Sequence, residues 1–383
     1  MNGEETEPTF DVVVVGAGAA GVGVAVALND AGVANYIVLE RDRVGASFAA
    51  WPAETRFITP SFATNSVGML DLNSVAIGVS PAYSLEVEHP SGPEYAAHLQ
   101  AIVNHFGVPV RENTDVTEVV AEGARYRIMT SDGPVMAWHV VWAAGEFQYP
   151  RRGGFAGSEL CRHTATVDSY GELQGDDFIV IGGFESGFDA AFHLAYQDKR
   201  VRLFDGGCPW EKTSSDPSVS LSPYTLERIR EDWFLELVEL FPNTRIESVK
   251  RLGEAGDDEE DAGYEVVAAD GSRHQVATAP LLAGGFDGSH RLIADLFELR
   301  SDGMPQLTTW DESTLSPGIF LVGASVRHDN HIFCFIYKYR QRFAVVAKAI
   351  AESLGLPAER LESYRTWGMY LDDLSVCGED CAC

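Results

Sequence analysis

The sequence predicts an α/β protein whose parallel sheets are buried on both faces. Three observations lead there. The wholly apolar, β-branched run Val12–Val15 enters a glycine loop and then an alanine-rich helical stretch. The same strand–loop–helix–strand pattern starts again at Phe178. The composition is that of a chain with large cores: 45% of the 383 residues are apolar, and 37 Gly with 17 Pro fall well short of low complexity. Such a length suits two or three domains, and such a composition excludes disorder, collagen and coiled coil.

In the first unit Val12–Val15 leads into Gly16-Ala-Gly18-Ala-Ala-Gly21, a helix predicted to end near Gly32, and a second strand, Tyr36–Leu39, that ends in Glu40. The three glycines do different things. Gly16 permits the tight turn, Gly18 lets backbone approach a pyrophosphate, and Gly21 lets helix and strand pack closely. The helix N-terminus offers unpaired N–H groups to phosphate. Glu40, ~20 residues beyond the loop, is placed to accept hydrogen bonds from an adenosine ribose.

The second unit runs Phe178–Ile181, Gly182-Gly-Phe-Glu-Ser-Gly187, a helical stretch from Phe188, and Val201–Phe204 ending in Asp205. Phe184 interrupts its glycine spacing. Val140–Gly145, Leu281–Gly285 and Gly318–Gly323 read as buried strands ending in small residues, where a chain can pass close to a cofactor. A helix is predicted from about Arg340 to Leu354, and the acidic stretch 254–261 reads as a solvated hairpin loop.

The charge excludes some partners. With 57 acidic and 28 basic residues the net charge is −29, which repels nucleic acid and anionic lipid. Only five of the basic residues are lysines, a surface that resembles those of salt-adapted, haloarchaeal cytoplasmic proteins. The run 12–28 is broken by glycines and follows an acidic flank, so neither a membrane span nor a signal peptide is read there, and a cytoplasmic location is expected.

Two dinucleotide folds in one chain, the second inserted in the first, resemble the two-dinucleotide-binding-domain flavoproteins, which include thioredoxin reductases, bacillithiol disulfide reductases and flavin-containing monooxygenases. A closer likeness is to the subgroup of flavin-containing monooxygenase-like, zinc–cadmium resistance accessory-type flavoproteins. It rests on Trp51-Pro52, Thr59-Pro-Ser-Phe62, Asp216-Pro-Ser218, Leu221–Thr225, Ile336–Phe343 and the terminal segment 370–383. The resemblance implies two Rossmann-like domains: an FAD domain in two parts, 1–150 and 286–370, an NAD(P) domain at 151–285, and a cysteine-containing tail at 371–383.

In that likeness FAD lies on Gly16, Gly18, Ala19, Ala20, Gly21, Glu40 and Arg41, with Gly45, Ser47, Phe48, Thr59, Ser61, Val116, Ala144, Gly145, Gly323 and Ala324. The nicotinamide nucleotide lies on Gly182, Gly183, Glu185, Ser186, Gly187 and Asp205. NADH is favoured over NADPH, because a carboxylate at Asp205 accepts a ribose hydroxyl and repels a 2′-phosphate. Arg202, on the same strand, would soften this if it pointed toward the ribose.

The departures are specific. No CxxC is present, unlike thioredoxin reductases; Ala20 stands where bacillithiol reductases carry a loop cysteine. In the monooxygenase pattern FxGxxxH, Phe155 and Gly157 are matched, but His163 lies two residues too far along. Gly323-Ala324 replaces the usual Gly-Asp at the ribityl chain.

The implied activity is transfer of hydride from a nicotinamide nucleotide to FAD and on to an acceptor. A monooxygenase-like acceptor is favoured. A thiol/disulfide reductase using the tail, or a metal-binding or redox-sensing accessory protein with little turnover, are the other readings. Lys338, Arg340 and Arg342 would stabilise negative charge on reduced flavin, or else anchor the following helix. Cys161, Cys208 and Cys334 read as packing residues. Cys377, Cys381 and Cys383 crowd the C-terminus and suit redox exchange or soft-metal binding, with an inert tail as the third reading, though three thiols make an incomplete zinc site. The expected partner is a small molecule or a thiol or disulfide; the oligomeric state, a homodimer included, stays open.

Overall fold

A computed structural model describes residues 7–63, 70–214, 218–253 and 263–376. They form two compact units. The first comprises residues up to 49, 60–148 and those from 288 onward; the second comprises 50–59 and 149–287. In sequence the second unit is thus an insertion in the first. The stretch 50–59 departs from the expected boundary, and its hydrogen bonds explain why. Glu54 accepts from Ser169 Oγ at 2.6 Å and from the Tyr170 and Gly171 N–H groups at 3.0 Å, and Thr55 donates to Asp189 at 2.6 Å. Burial alone would raise the Glu54 pKa, but these donors hold it below the ordinary value. Composition gives no sign of such long-range bonds.

The first unit opens with β1 (Thr9–Val15), α1 (Ala19–Asp30) and β2 (Tyr36–Leu39). Val12, Val13 and Val14 are fully buried, as their unbroken apolar run requires. The short helices α2 (Ala46–Ala49) and α3 (Pro81–Leu85) precede α4 (Gly92–Phe106). Ser91 and Glu94 form a capping box at the start of α4, and Gly107 ends it at φ +62°, in the left-handed region that suits glycine. The strands β3 (Val110–Arg111), β4 (Val116–Glu122), β5 (Arg125–Thr130) and β6 (Val135–Trp142) complete the first pass.

Among the described residues the sheet runs β3-β2-β1-β6, all parallel. On its other side β6 pairs twice: Val135–Ala137 with antiparallel β5, and Val140–Trp142 with the parallel strand Ile319–Leu321. The chain therefore returns from the second unit to complete the same sheet. A helix over Phe343–Ser353 packs on α1, where Gly23 leaves room: a β-carbon there would sit 2.1 Å from the Phe343 ring.

The second unit carries a parallel sheet ordered β10-β9-β8-β14-β7, with β7 Arg162–His163, β8 Asp177–Ile181, β9 Arg200–Phe204, β10 Val238–Phe241 and β14 Leu281–Leu282. Helix α5 (Glu185–Ala195) connects β8 to β9 and buries Phe188, Ala191 and Leu194 against Val180, Leu203 and Phe234. An antiparallel trio follows, β11 (Ile246–Arg251), β12 (Tyr264–Ala268) and β13 (Arg273–Val276). The acidic segment between β11 and β12 lies outside the described residues. Among those residues no helix is long and apolar enough to cross a membrane.

Near the end of the chain Asp311 is fully buried and organises a charged node. Its carboxylate accepts two bonds of 2.9 Å from the equally buried Arg342 and one from His328 Nε2. Arg342 also donates to the Thr309 and Leu371 carbonyls. Burial pushes the Asp311 pKa up, but Arg342 and His328 outweigh it and hold the group below its ordinary value. Replacing Asp311 with Asn keeps shape and backbone preference (φ +60°) while leaving a buried guanidinium without a counter-charge. The expected cost is about 3–5 kcal/mol by denaturant titration at neutral pH. Because the folded-state pKa is depressed, that difference should shrink as pH falls through it.

Candidate functional site

The C-terminal end of β1 meets the start of α1 at a very close approach. Gly16 sits at φ +101°, and a β-carbon there would lie 2.7 Å from the Ala143 carbonyl oxygen. A β-carbon on Gly21 would lie 1.9 Å from the Gly16 carbonyl oxygen. Both positions exclude any side chain. Gly18 is different: it starts α1 at φ −79°, and a β-carbon would meet nothing within 4 Å. The end of α1 therefore faces open space, with no side-chain cap and no acidic residue in its first turn. Unpaired N–H groups, the positive end of the helix dipole and an open cradle are what a pyrophosphate requires.

Glu40 closes this loop from the next strand. It accepts from the Ala17 N–H at 2.7 Å and from the Asp42 N–H at 3.0 Å. Burial raises its pKa, partly opposed by those two donors and by Arg41. The carboxylate thus has a structural role as well as the ribose contact expected of it. Around it, Gly45 (φ +71°) donates to the Ala17 carbonyl at 3.0 Å and packs on Ala96. Arg41 reaches Gln148, which donates to the Ala144 carbonyl at 2.6 Å. Gly323 (φ +100°) lies beside Ala20, at the first turn of α1 next to Ala19.

The structure thus brings together Gly16, Gly18, Ala19, Ala20, Gly21, Glu40, Arg41, Gly45, Ala144 and Gly323, with Ala324 following. Gly145 accepts from the Ser289 N–H at 3.0 Å, and Val116 lies two residues past Thr114, whose N–H bonds the Glu40 carbonyl at 2.8 Å. Ser47 is half-buried on α2, and the Phe48 ring meets Tyr95 edge-on at 4.9 Å. Ser61 is buried, its Oγ accepting from Asn73 at 2.9 Å, whereas Thr59 belongs to the second unit. Sequence reading missed Ala17, Ala143 and Gln148. Two of them act through backbone atoms, for which side-chain identity gives no signal.

The second loop reproduces the first. Gly182 lies at φ +103° against the Ala283 carbonyl, and a β-carbon on Gly187 would fall 1.8 Å from the Gly182 oxygen. Asp205 accepts from the Gly183 N–H at 2.8 Å, as Glu40 does from Ala17, and also from the Gly207 and Cys208 N–H groups. Two residues with an expected part in nucleotide binding are engaged elsewhere. Glu185 turns to the segment 222–225, accepting from the Ser222 N–H and from the Ser222 and Thr225 hydroxyls. Burial raises its pKa against those donors. Arg202 donates to Asp177 at 2.6 Å and to the Gln275 carbonyl at 2.8 Å, so it does not point toward a ribose at Asp205. Ser186 lies in the first turn of α5.

Of the three clustered cations, two are anchors. Arg340 is buried and donates to the Asp71, Ser74 and Leu70 carbonyls; burial lowers its pKa to about 10, which leaves it charged at neutral pH. Arg342 serves Asp311. Lys338 is buried, its ammonium 6.0 Å from the centre of the Phe335 ring. His163 is buried with both ring nitrogens engaged, one toward the Gly285 carbonyl and one accepting from the Ala165 N–H, both at 3.1 Å.

Cys161 and Cys208 are buried; burial pushes Cys161 up to about 12 and raises Cys208 as well. Both stay protonated at neutral pH and pack, as expected. Cys377, Cys381 and Cys383 lie outside the described residues. Among those described, no three His, Cys, Asp or Glu group to hold a metal ion.

A family model described as pyridine nucleotide-disulphide oxidoreductase matches residues 13–323. A curated relative, an uncharacterized CzcO-like oxidoreductase of Geobacillus kaustophilus (strain HTA426), is 28% identical over 51% of this chain, and the chain spans about half (54%) of that relative's length. Bacillithiol disulfide reductase Bdr (YpdA) from Bacillus cereus is similar in structure with TM-score 0.71 and 20% identity, over 90% of this chain and 99% of that one. A flavin-containing monooxygenase from Stenotrophomonas maltophilia gives 0.69 and 16%, over 91% and 99%. At these identities the two structures establish the shared fold.

The geometry separates two glycines that look alike in sequence. Gly18→Leu should leave thermal stability without added cofactor within a degree or two of the parent, since its side chain enters open space. Gly21→Ala must push α1 away from β1, and a loss of roughly 2 kcal/mol or more is expected by denaturant titration.

Proposed function

This chain belongs to the pyridine nucleotide-disulphide oxidoreductase family, and from that premise we propose that it is an FAD-dependent, NAD(P)H-linked oxidoreductase. The observation that carries the reading is the first glycine loop, with its open cradle at Gly18 and its anchoring by Glu40. Bound FAD would supply two-electron transfer from a nicotinamide nucleotide to an acceptor. The chain's own part is positional. Gly16–Gly21 and the end of α1 would hold the pyrophosphate, Glu40 the ribose, and Gly323-Ala324 would lie at the first turn of α1. From the likeness to flavoproteins of this kind, we assign Lys338 to negative charge on reduced flavin.

For the acceptor we favour monooxygenase-like use of oxygen. The described cysteines support this, because Cys161 and Cys208 are buried with raised pKa values. None belongs to a paired dithiol, so a disulfide-reductase reading rests on Cys377, Cys381 and Cys383 alone. As donor we favour NADH. Asp205 uses three acceptor positions on backbone N–H groups, and a carboxylate has about four, which leaves one for a ribose hydroxyl.

The protein should purify yellow or become yellow on adding FAD, while Gly18→Leu stays colourless although folded. A wild-type chain that takes up no FAD in an absorbance titration would refute the reading. Catalytic efficiency should be at least tenfold higher with NADH than with NADPH in stopped-flow flavin reduction.

Truncation after Ser375 tests the acceptor. The shortened enzyme, reduced anaerobically with NADH, should be reoxidised by oxygen as fast as the full chain, with peroxide or an oxygenated product formed. Loss of its activity toward disulfides, with oxygen a poor acceptor for both forms, would establish the disulfide reading instead.

A further inference from the structure

The two loops share one backbone, and at one position a glycine of the first is a large aromatic residue in the second. Gly18 begins α1 at φ −79° and ψ −170°; Phe184 begins α5 at φ −97° and ψ −165°. Each lies two residues beyond a glycine at a nearly identical positive φ, and three before a glycine pressed on that residue's carbonyl. Phe184 therefore occupies the second loop's counterpart of Gly18. In the first loop a β-carbon at this position points into open space, in front of the helix N-terminus. With the same φ and ψ the Phe184 β-carbon leaves the backbone the same way, and 36% of that residue is exposed.

We propose that Phe184 is the residue that limits nicotinamide dinucleotide binding in this protein, its ring standing where the pyrophosphate has to cross the loop. This rests on the reading of the second unit as the nucleotide-binding one. The frame beneath the ring is otherwise ready for phosphate. Gly182 and Gly187 make the close approach, Asp205 holds the Gly183 N–H, and the Glu185 carboxylate is drawn away to Ser222 and Thr225. A pyrophosphate can reach the α5 N–H groups only when the ring swings out into water, which costs affinity. Since φ and ψ at Phe184 are those of extended backbone, smaller residues fit without strain.

The test is equilibrium binding of NAD⁺ to the FAD-loaded full chain by titration calorimetry, with no turnover involved. Phe184→Gly and Phe184→Ala should bind at least tenfold more tightly than the parent, and Phe184→Trp no more tightly. FAD content and thermal midpoint, measured in parallel, should not change, showing that the first loop is untouched. Equal affinity in parent, Gly and Ala variants would overturn the proposal while keeping nucleotide binding. Absence of NAD⁺ binding in every variant would overturn both.

Discussion

A helix that starts directly over the end of its strand leaves no space for a β-carbon at the crossing, and both parallel sheets of this protein are arranged about that constraint. At Gly21 and Gly187 such a carbon would lie 1.9 and 1.8 Å from the carbonyl oxygen of the turn glycine. Because the helix cannot retreat without uncovering the apolar strand beneath it, those glycines fix where α1 and α5 begin. The helices consequently start at the ends of their strands, where the first N–H groups of a helix lack partners further back along it. The binding cradle follows from the packing of the core.

The carboxylates at the ends of the second strands reinforce this geometry. Glu40 and Asp205 each take the N–H of the residue after the turn glycine, so each loop is tied to the neighbouring strand. A backbone N–H inside a tight turn has no ladder partner, and leaving it unpaired in a buried place is costly. An acid at that position therefore has a reason to exist even before any ribose arrives.

Elsewhere, charged groups hold segments in place. Arg340 and Arg342 gather carbonyls and Asp311 from positions far apart in the chain, while Asp189 and Glu54 draw the stretch 50–59 onto the second unit. Buried ions of this kind are neutral or costly in net stability but punishing when half-removed. Two positions that looked chemically interesting, Arg340 and Arg342, are structural for this reason.

The apolar runs, the glycine spacing and the acids that follow determined the two βαβ units by themselves, because strand burial, helix start and turn conformation are local demands met by local residue types. The insertion order came from the resemblance to two-domain flavoproteins, not from the strands themselves. Tertiary structure alone decided what the polar side chains do. Whether Arg202 faces a ribose or Asp177, whether Glu185 faces a phosphate or Ser222, and to which unit 50–59 belongs all depend on partners tens to hundreds of residues away. Periodicity and spacing carry no record of such pairings. Phe184 combines both kinds of information: the sequence showed that a glycine was missing, and only the matching backbone of the two loops showed which position of the first loop it corresponds to.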